Sequence, residues 1–396
     1  MRFWGITGTN GKTTTTWITA AFINAAKDRK CGYVTTVEVD TGTRQFYTGY
    51  TTPPLKQLKE IFAEMEANGC TDCVMEVSSH AIHQHRTGDT VFSGGVFTNL
   101  SEDHLDYHKT MEAYFDVKLD FARQIAAAHP TTPDMGRRDL PPYVVCLDGG
   151  YGREMFNAVG NLAVNVIGVS AGETGTRRTS GTSRTQPAYD LSGLQLVGDY
   201  NKSNVLCAAA LAEAAGVSHD VIQAVIPTLK PRWGRLEEVY PLHEARGTKH
   251  KARIFVDFAH TPDGLEKVLA AARGFTPEGK KLWVVFGAGG DRDPMKRPLM
   301  GEACAKLADR LVVTSDNPRS EDPGAIIGAI LGGIDGDRRQ STVVEPDRKK
   351  AIEFALREAD EGDVVIIAGK GHESTQEIKG VKYPFDDREV VRQFAG

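Results

Sequence analysis

Met1-Arg-Phe-Trp-Gly-Ile-Thr-Gly-Thr-Asn-Gly-Lys-Thr-Thr-Thr-Thr16 is the stretch around which the rest of the chain is organised. Arg2 to Ile6 is short and apolar enough for a buried strand, Gly8, Thr9, Asn10 and Gly11 make a tight turn, and Lys12 opens a helix-compatible run to about Ala26. A glycine-rich turn between strand and helix points successive backbone N–H groups, and the positive end of the helix, at one spot that suits a phosphate. In such a site Lys12 reaches the outer phosphates, and the Thr13 hydroxyl sits on the magnesium ion that bridges them. The spacing Gly8-x-x-Gly11-Lys12-Thr13 is shorter than a strict Walker A motif, whose first glycine falls on Ile6. A Gly-Lys-Thr by chance in a loop is common, but strand, turn and helix are all present, and the nucleotide reading outweighs it.

A length of 396 residues favours two domains over one core. Hydrophobic content of 40% and charged content of 25% are ordinary for a globular protein, and a net charge of −5 gives no reason to expect nucleic acid or an anionic membrane as partner. No segment is apolar for long enough to span a bilayer, and the start lacks the charged-then-apolar pattern of a signal peptide, so a cytoplasmic location is expected. The cysteines at 31, 70, 73, 146, 207 and 304 are scattered. Cys70-x-x-Cys73 lacks a second pair at zinc spacing, so buried thiols are expected.

Leu55, Leu58, Ile61, Phe62 and Met65 repeat at three and four residues, an amphipathic helix ending near Asn68-Gly69, followed by a buried strand Cys73–Val77 and another from Gly94 to Thr98. This alternation predicts an α/β fold with a mostly parallel, doubly wound sheet. His129 to Pro142 and Ala171 to Pro187 read as exposed loops, the second as a mobile hairpin tip. Asn204 to Ala215 is an Ala-rich helix expected to close the first domain, and Pro227 to Gly234 reads as a linker. βα units then resume, with strands at 252–258, 282–286, 311–314 and 364–368 and a helix near 263–273. Their polar, Gly-containing turns are where ligands of open α/β sheets bind. The expected division is 1–230, a P-loop-type domain, and 231–396, a smaller Rossmann-like domain.

Glu76 ends an apolar strand, where an unpaired charge is costly, and a carboxylate at a strand tip beside a phosphate loop is placed to hold magnesium. His80, His83, His85 and Arg86 form a polar cluster just beyond it, which a solvated loop also explains. Asn99 to His108 is denser still. His104 there suits either a metal ligand or a helix cap. Lys118 lies on an amphipathic helix with Tyr114, Val117, Phe121 and Ile125 inward, and nothing in the pattern distinguishes it from a surface lysine.

The run Gly5-Ile-Thr-Gly-Thr-Asn-Gly-Lys-Thr-Thr14 resembles the ATP loop of the Mur ligases. The resemblance extends in order through Thr51-Thr-Pro-Pro54, Met75-Glu-Val-Ser-Ser-His80 with Gln84-His-Arg86, Asp103-His-Leu-Asp-Tyr-His108, Asp257-Phe-Ala-His-Thr-Pro262, Gly289-Gly-Asp-Arg-Asp293, Asp316-Asn-Pro-Arg319, Gly369-Lys-Gly-His-Glu373 and Phe385-Asp-Asp-Arg-Glu389. Within the family it is most similar to members that add the third residue of the peptidoglycan stem.

The resemblance implies an ATP-dependent amide ligase with small-molecule substrates. Gly8, Thr9, Asn10, Gly11, Lys12, Thr13 and Thr14 would hold ATP, with Asn204 and His260 near the adenine, Asp257 near the ribose and Arg235 near the phosphates. Thr13 and Glu76 would hold one magnesium ion; His104 and a carbamylated Lys118 would hold a second. Thr51, Thr52, Ser78, Gln84 and Arg86 match positions that grip the sugar–peptide acceptor. Arg292, Asp316, Asn317, Arg319, Gly369 and Glu373 match those that hold the incoming diamino acid. Of these, Arg319 is the specificity signal: a guanidinium fork pairs with a second carboxylate, which diaminopimelate has and lysine lacks. The capping of a turn after Pro318 is its plainer alternative.

The resemblance further implies that the acceptor carboxylate attacks the γ-phosphate, that the resulting acyl phosphate is attacked by the amine, and that closure about the linker brings the substrates together. Departures are Trp233-Gly-Arg235 for Pro-Gly-Arg, Val117 for Ala before Lys118, and an extended loop from His129 to Pro142. Family members carry a uridine-binding domain before the ATP loop, and this sequence starts at the strand leading into that loop. The expectation is therefore a compact ligase or a piece of one, acting with a separate uridine-binding chain, or on an acceptor without UDP such as a recycled muropeptide or secondary metabolite. A non-catalytic nucleotide-binding relative is disfavoured by the retention of Lys12, Glu76, His104 and Lys118. Folylpolyglutamate synthetases share the loop but are not expected to carry Asp-Asn-Pro-Arg with Gly-Lys-Gly-His-Glu.

Overall fold

Apolar runs of about five residues, each followed by a polar turn and an amphipathic stretch, build two α/β units. The computed structural model describes residues 1–132, 134–171, 177–179, 189–239 and 252–394. By internal contacts the first unit comprises Met1–Ser101 and His108–Leu229, and the second Glu102–Tyr107 and Lys230–Gly396.

The first unit is built on a nine-stranded sheet of β1 (Arg2–Thr7), β2 (Cys31–Val34), β3 (Val39–Asp40), β4 (Gln45–Phe46), β5 (Asp72–Glu76), β6 (Phe92–Phe97), β7 (Pro142–Cys146), β8 (Asn165–Val169) and β9 (Arg177–Thr179). Their order is β4-β3-β2-β5-β1-β6-β7-β8-β9; β2, β5, β1, β6, β7 and β8 run parallel and the edge strands antiparallel. A central parallel strand has side chains buried on both faces, and β5 is buried at all five positions, Asp72 and Glu76 included. The order sets the site: the segments leaving the carboxyl ends of β2, β5, β1 and β6 are neighbours along one edge.

The second unit carries a six-stranded sheet of β10 (Glu237–Glu238), β11 (Arg253–Asp257), β12 (Leu282–Phe286), β13 (Arg310–Val313), β14 (Val343–Val344) and β15 (Val364–Ala368), ordered β10-β11-β15-β12-β13-β14 and parallel except for β10. A hairpin, β16 (Thr375–Ile378) and β17 (Val381–Pro384), follows. Alternation along the strands feeds two cores. Phe255, Val284, Phe286 and Ile366 pack with helices Pro262–Phe275, Lys296–Leu307 and Pro323–Leu331, while Ile254, Val256, Val285 and Ile367 pack with Arg348–Glu358 and Asp387–Gln393.

Several expectations need correction. The helix expected from Asn204 runs Asp199–Ala214, opened by Gly198, and does not end its unit, because a further helix, His219–Val225, follows. The stretch from His129 to Pro142 contains a 3-10 turn at Arg137–Asp139, and β7 begins at Pro142. Within Ala171 to Pro187, Arg177–Thr179 pairs antiparallel with β8, and the remainder of the expected hairpin tip lies outside the described residues apart from Ala171. Lys118 is buried while Val117 is only half-buried, so the inward face of that helix is Tyr114, Lys118, Phe121 and Ile125. All six cysteines are buried free thiols, as expected. Among the described residues no helix is long and apolar enough to cross a membrane.

The motif Phe385-Asp-Asp-Arg-Glu389 finds a structural role. Arg348 donates to both oxygens of Asp387, 2.8 and 2.7 Å, with neither side chain exposed. Its guanidinium also donates to the carbonyls of Ala368 (2.9 Å) and Ser315 (3.4 Å), so one cation ties the ends of β15 and β13 to the last helix. Removing one partner of a buried, hydrogen-bonded ion pair leaves the other uncompensated. Asp387→Ala is therefore expected to destabilise the second unit by about 3–5 kcal/mol, read as a fall in the midpoint of urea unfolding, with Asn at the same position costing less.

Candidate active site

In the first unit the loop Gly8–Gly11 joins β1 to the helix Lys12–Ala25. Gly11 has φ +84, and a Cβ there would lie 2.4 Å from Asn204 Oδ1, so the position demands glycine twice over. The loop is braced by the segment after β6. The Asn10 amide donates to Asn99 Oδ1 (2.9 Å), Thr98 Oγ1 and Asn99 Nδ2 donate to the Asn10 carbonyl, and the Thr9 amide donates to the Asn99 carbonyl. Lys12 Nζ donates to the carbonyls of Gly8 (3.0 Å) and Thr9 (2.8 Å), folding over its own loop. Thr14 is buried in the first turn of the helix. Asn204 sits against this turn, accepting from Thr15 Oγ1.

Glu76 has no exposed surface, and its carboxylate accepts from Thr13 Oγ1 (2.8 Å), the Thr36 amide (2.8 Å) and Thr36 Oγ1 (3.0 Å). Among the described residues no cation forms an ion pair with it. A buried anion with neutral donors only, beside a threonine hydroxyl, is an all-oxygen pair that fits a magnesium ion. No group of three or more His, Cys, Asp or Glu converges among the described residues, so the fit rests on Thr13 and Glu76.

The expected acceptor residues gather here. Thr51 Oγ1 lies 3.1 Å from Thr36 Oγ1, whose own proton goes to Glu76, and Thr52 Oγ1 donates to the Glu76 carbonyl; the Ser78 amide donates back to Thr52 Oγ1, and Arg86 donates to Gln84 Oε1 and the Thr52 carbonyl. Thr36 is the member that sequence reading missed; its only signal was a Thr-Thr pair leaving a short buried strand.

Lys118 Nζ lies 4.5 Å from the centroid of the Tyr114 ring. That ring stacks on His108 at 4.8 Å, its hydroxyl is 3.1 Å from Thr9 Oγ1, and His108 Nε2 is 2.9 Å from Ser79 Oγ. The Tyr114 side chain thus connects Lys118 to the phosphate loop. His104 lies in the segment grouped with the second unit. Its φ is +56, and its Nε2 is 3.4 Å from Asp103 Oδ2.

In the second unit every expected residue of the domain lies at the carboxyl edge of the sheet or in the turns leaving it. Asp257 ends β11. Its two oxygens accept from the amides of Leu236 (2.6 Å) and Ala259 (2.7 Å), and burial pushes its pKa above the usual range despite Arg235. Arg235 covers the Phe258 ring at 4.7 Å. His260 Nδ1 donates to the Phe258 carbonyl (2.8 Å), and burial, then Lys296, lowers its pKa.

After β13 and β15 the turns meet. Asn317 Nδ2 donates to Glu373 Oε2 (2.8 Å), and Gln376 to the Asp316 carbonyl. Asp316 is buried so close to Gly369 that a Cβ there, at φ +116, would fall 2.5 Å from its Oδ2. Arg319, at φ +51, donates from Nη1 to the Gly290 carbonyl (2.7 Å) and lies 3.7 Å from Glu377. It does brace a turn, yet Nη2 has no hydrogen-bond partner among the described residues. Among the described residues Arg292 donates only to the carbonyl of Asp291.

A phosphate loop backed by a buried carboxylate, on a mostly parallel sheet, with a second parallel sheet gathering charged turns at one edge, defines a two-unit nucleotide-dependent α/β enzyme. The Mur ligase middle domain matches residues 6–212, and the Mur ligase glutamate ligase domain matches residues 242–371; the chain belongs to the Mur ligase family. It is 40% identical over 404 residues to UDP-N-acetylmuramoyl-L-alanyl-D-glutamate–2,6-diaminopimelate ligase of Synechococcus elongatus, covering 98% of this chain and 75% of that one. It is 38% identical over 402 residues to the ligase of the same name from Aquifex aeolicus, covering 99% and 77%. A solved structure of a UDP-N-acetylmuramoyl-L-alanyl-D-glutamate–2,6-diaminopimelate ligase matches 99% of this chain and 77% of its own at 31% identity, with a TM-score of 0.59. The chain spans about three quarters of the length of these relatives.

His372 gives a pH-dependent readout of the second unit. Its Nδ1 is buried without a hydrogen-bond partner among the described residues, its ring lies 5.0 Å from Phe258, and burial, then the charges of Arg235 and Arg388, lowers its pKa to about 3. The unfolded chain takes up the proton near the ordinary value of about 6.5. The stability that neutral His372 contributes is therefore complete above pH 6.5 and lost as pH falls toward 3. His372→Asn is expected to be less thermostable than wild type at pH 7.5, with the gap in melting temperature narrowing by pH 4.5.

Proposed function

We propose that this chain is an ATP-dependent, ADP-forming ligase that joins meso-diaminopimelate to the carboxylate of a muramoyl-dipeptide-type acceptor in peptidoglycan synthesis, acting in the cytoplasm. The observation that carries the reading is the buried pair of Thr13 Oγ1 and Glu76, 2.8 Å apart beside the phosphate loop, at the edge where Thr51, Thr52, Ser78, Gln84 and Arg86 also gather. The names of the relatives supply the substrate class, and the residues of the second unit fit it.

The loop amides and Lys12 bind the ATP phosphates, Lys12 exchanging its bonds to the Gly8 and Thr9 carbonyls for phosphate oxygens. Thr13 and Glu76 would hold one magnesium ion, and His104 and a carbamylated Lys118 would supply ligands to a second; magnesium would supply charge to offset the negative charge of the transferred phosphoryl group. Asn204, His260, Asp257 and Arg235 take the nucleoside and phosphate roles. Thr51, Thr52, Ser78, Gln84 and Arg86 orient the acceptor, whose carboxylate attacks the γ-phosphate to give an acyl phosphate and ADP. The amine of the diamino acid, held by Arg292, Asp316, Asn317, Arg319, Gly369 and Glu373, attacks that acyl carbon, and phosphate leaves as the amide forms. Arg319 faces the second carboxylate, with Nη2 as its open donor.

Two variants test the reading. Arg319→Ala is expected to lower the kcat/KM preference for meso-diaminopimelate over L-lysine by about 10- to 100-fold, the worth of a hydrogen bond to a charged group; an unchanged preference overturns the assignment. Lys118→Ala is expected to lower kcat at least about 100-fold, the scale for losing a transition-state charge stabiliser. A carbamate carbon signal after incubation with ¹³C-bicarbonate is expected in wild type and absent in the variant.

A further inference from the structure

Lys370 lies within Gly369-Lys-Gly-His-Glu373, in the turn leaving β15. Its side chain has no exposed surface. A buried ammonium has to be paired and hydrogen-bonded, and this one is: Nζ donates to Glu373 Oε2 at 2.9 Å and to Asn317 Oδ1 at 3.1 Å. The same two acceptors are joined directly, because Asn317 Nδ2 donates to Glu373 Oε2 at 2.8 Å. Asn317 Oδ1 also accepts from the Glu377 amide at 2.9 Å. The three side chains close a triangle that spans the turn after β13 and the turn after β15.

The triangle is asymmetric. Both donors reach Oε2 of Glu373, whereas Oε1 has no hydrogen-bond partner among the described residues, and the Glu373 side chain keeps 31% of its surface exposed. A carboxylate fixed through one oxygen and open at the other is pre-organised to accept from a cationic group of a ligand, since its rotamer is set before binding. The amide of Asn317 is fixed likewise. Both of its side-chain atoms are committed within the protein, so its orientation is determined by Lys370 and the Glu377 amide.

We propose that Lys370 is a positioning residue for the incoming amino acid: its ammonium fixes Glu373 and Asn317 so that Glu373 Oε1 is presented to the distal ammonium of the diamino acid. This rests on the reading of Glu373 and Asn317 as diamino-acid residues. The charge also matters. Lys370 offsets one negative charge where the turn carrying Asp316 meets the turn carrying Glu373, so loss of it would leave the amino-acid site both looser and more anionic.

The test compares the full chain with Lys370→Met, Lys370→Arg, Glu373→Gln and the double variant Lys370→Met/Glu373→Gln. Fold is checked by circular dichroism, meso-diaminopimelate binding by calorimetry, and KM for ATP and for meso-diaminopimelate by phosphate release. Lys370→Met is expected to raise KM and Kd for meso-diaminopimelate tenfold or more while KM for ATP stays within twofold, and Lys370→Arg to recover part of the loss. The double variant, which removes both charges together and so tests the idea even where Lys370→Met folds poorly, is expected to bind within threefold of Glu373→Gln alone. Lys370→Met with unchanged meso-diaminopimelate affinity, equal rises in both KM values, or losses that multiply in the double variant would each overturn the positioning role while leaving the ligase reading intact. Wild type that neither binds nor uses meso-diaminopimelate would instead overturn the ligase reading, and this inference with it.

Discussion

The carboxylate of Glu76, wholly buried at the end of β5, is the constraint on which the first unit depends. Desolvating an ionised carboxylate costs several kcal/mol even after the protein relaxes. Here the cost is met by Thr13 and Thr36, which come from the segments following the two strands that flank β5, namely β1 and β2. Moving either neighbour by one residue of register would turn its threonine away and leave the charge bare. The phosphate loop, the turn after β2 and the end of β5 are thus fixed with respect to one another by one anion. Three neutral donors leave the negative charge itself uncompensated, which is the electrostatic state a divalent cation requires.

The second unit solves the opposite problem with the same sheet geometry. Parallel strands end in carbonyls that need donors, and the segments leaving β13 and β15 obtain theirs from Arg348, held in turn by Asp387. Lys370, one turn further along, pairs with Glu373. The two ion pairs differ in one respect that separates scaffold from site. Asp387 is as buried as its arginine, so the pair meets nothing outside the protein, whereas Glu373 retains exposed surface beside a lysine that has none. A fully enclosed ion pair and a half-open one are therefore adjacent in space while remaining distinct in exposure.

What the sequence revealed follows from the range of the interactions involved. The phosphate loop and the parallel strands were legible because glycine at a strand-to-helix turn and a five-residue apolar run are local signals. Glu76 was legible because a charge at the end of such a run demands an explanation. Thr36 was not, since its importance lies in a contact to a residue 40 positions away. The burial of Lys118 was legible in principle: Tyr114, Lys118, Phe121 and Ile125 are spaced by four, three and four residues, the stripe of one helix face. Treating lysine as a surface residue by type moved Val117 inward in its place. Lys370 was hidden by a similar assumption, because nothing local marks a lysine in a glycine-rich turn as fully enclosed.

Lys118 also shows how far one contact can constrain chemistry. Its ammonium lies over the Tyr114 ring, an attraction that rewards positive charge and is worth about 0.5–2 kcal/mol. The carbamate proposed at that nitrogen would reverse the sign of the charge and forfeit the contact, so the modification would need a stronger attraction to drive it. A divalent cation nearby is stronger by far, since charge–charge attraction in a site shielded from water exceeds any face-on ring contact. Meanwhile the Tyr114 hydroxyl is bonded to Thr9 Oγ1, so the ring that faces the ammonium is itself tied to the loop between β1 and its helix. Tyr114 thus joins the lysine to the loop after β1 through one ring contact and one hydroxyl contact.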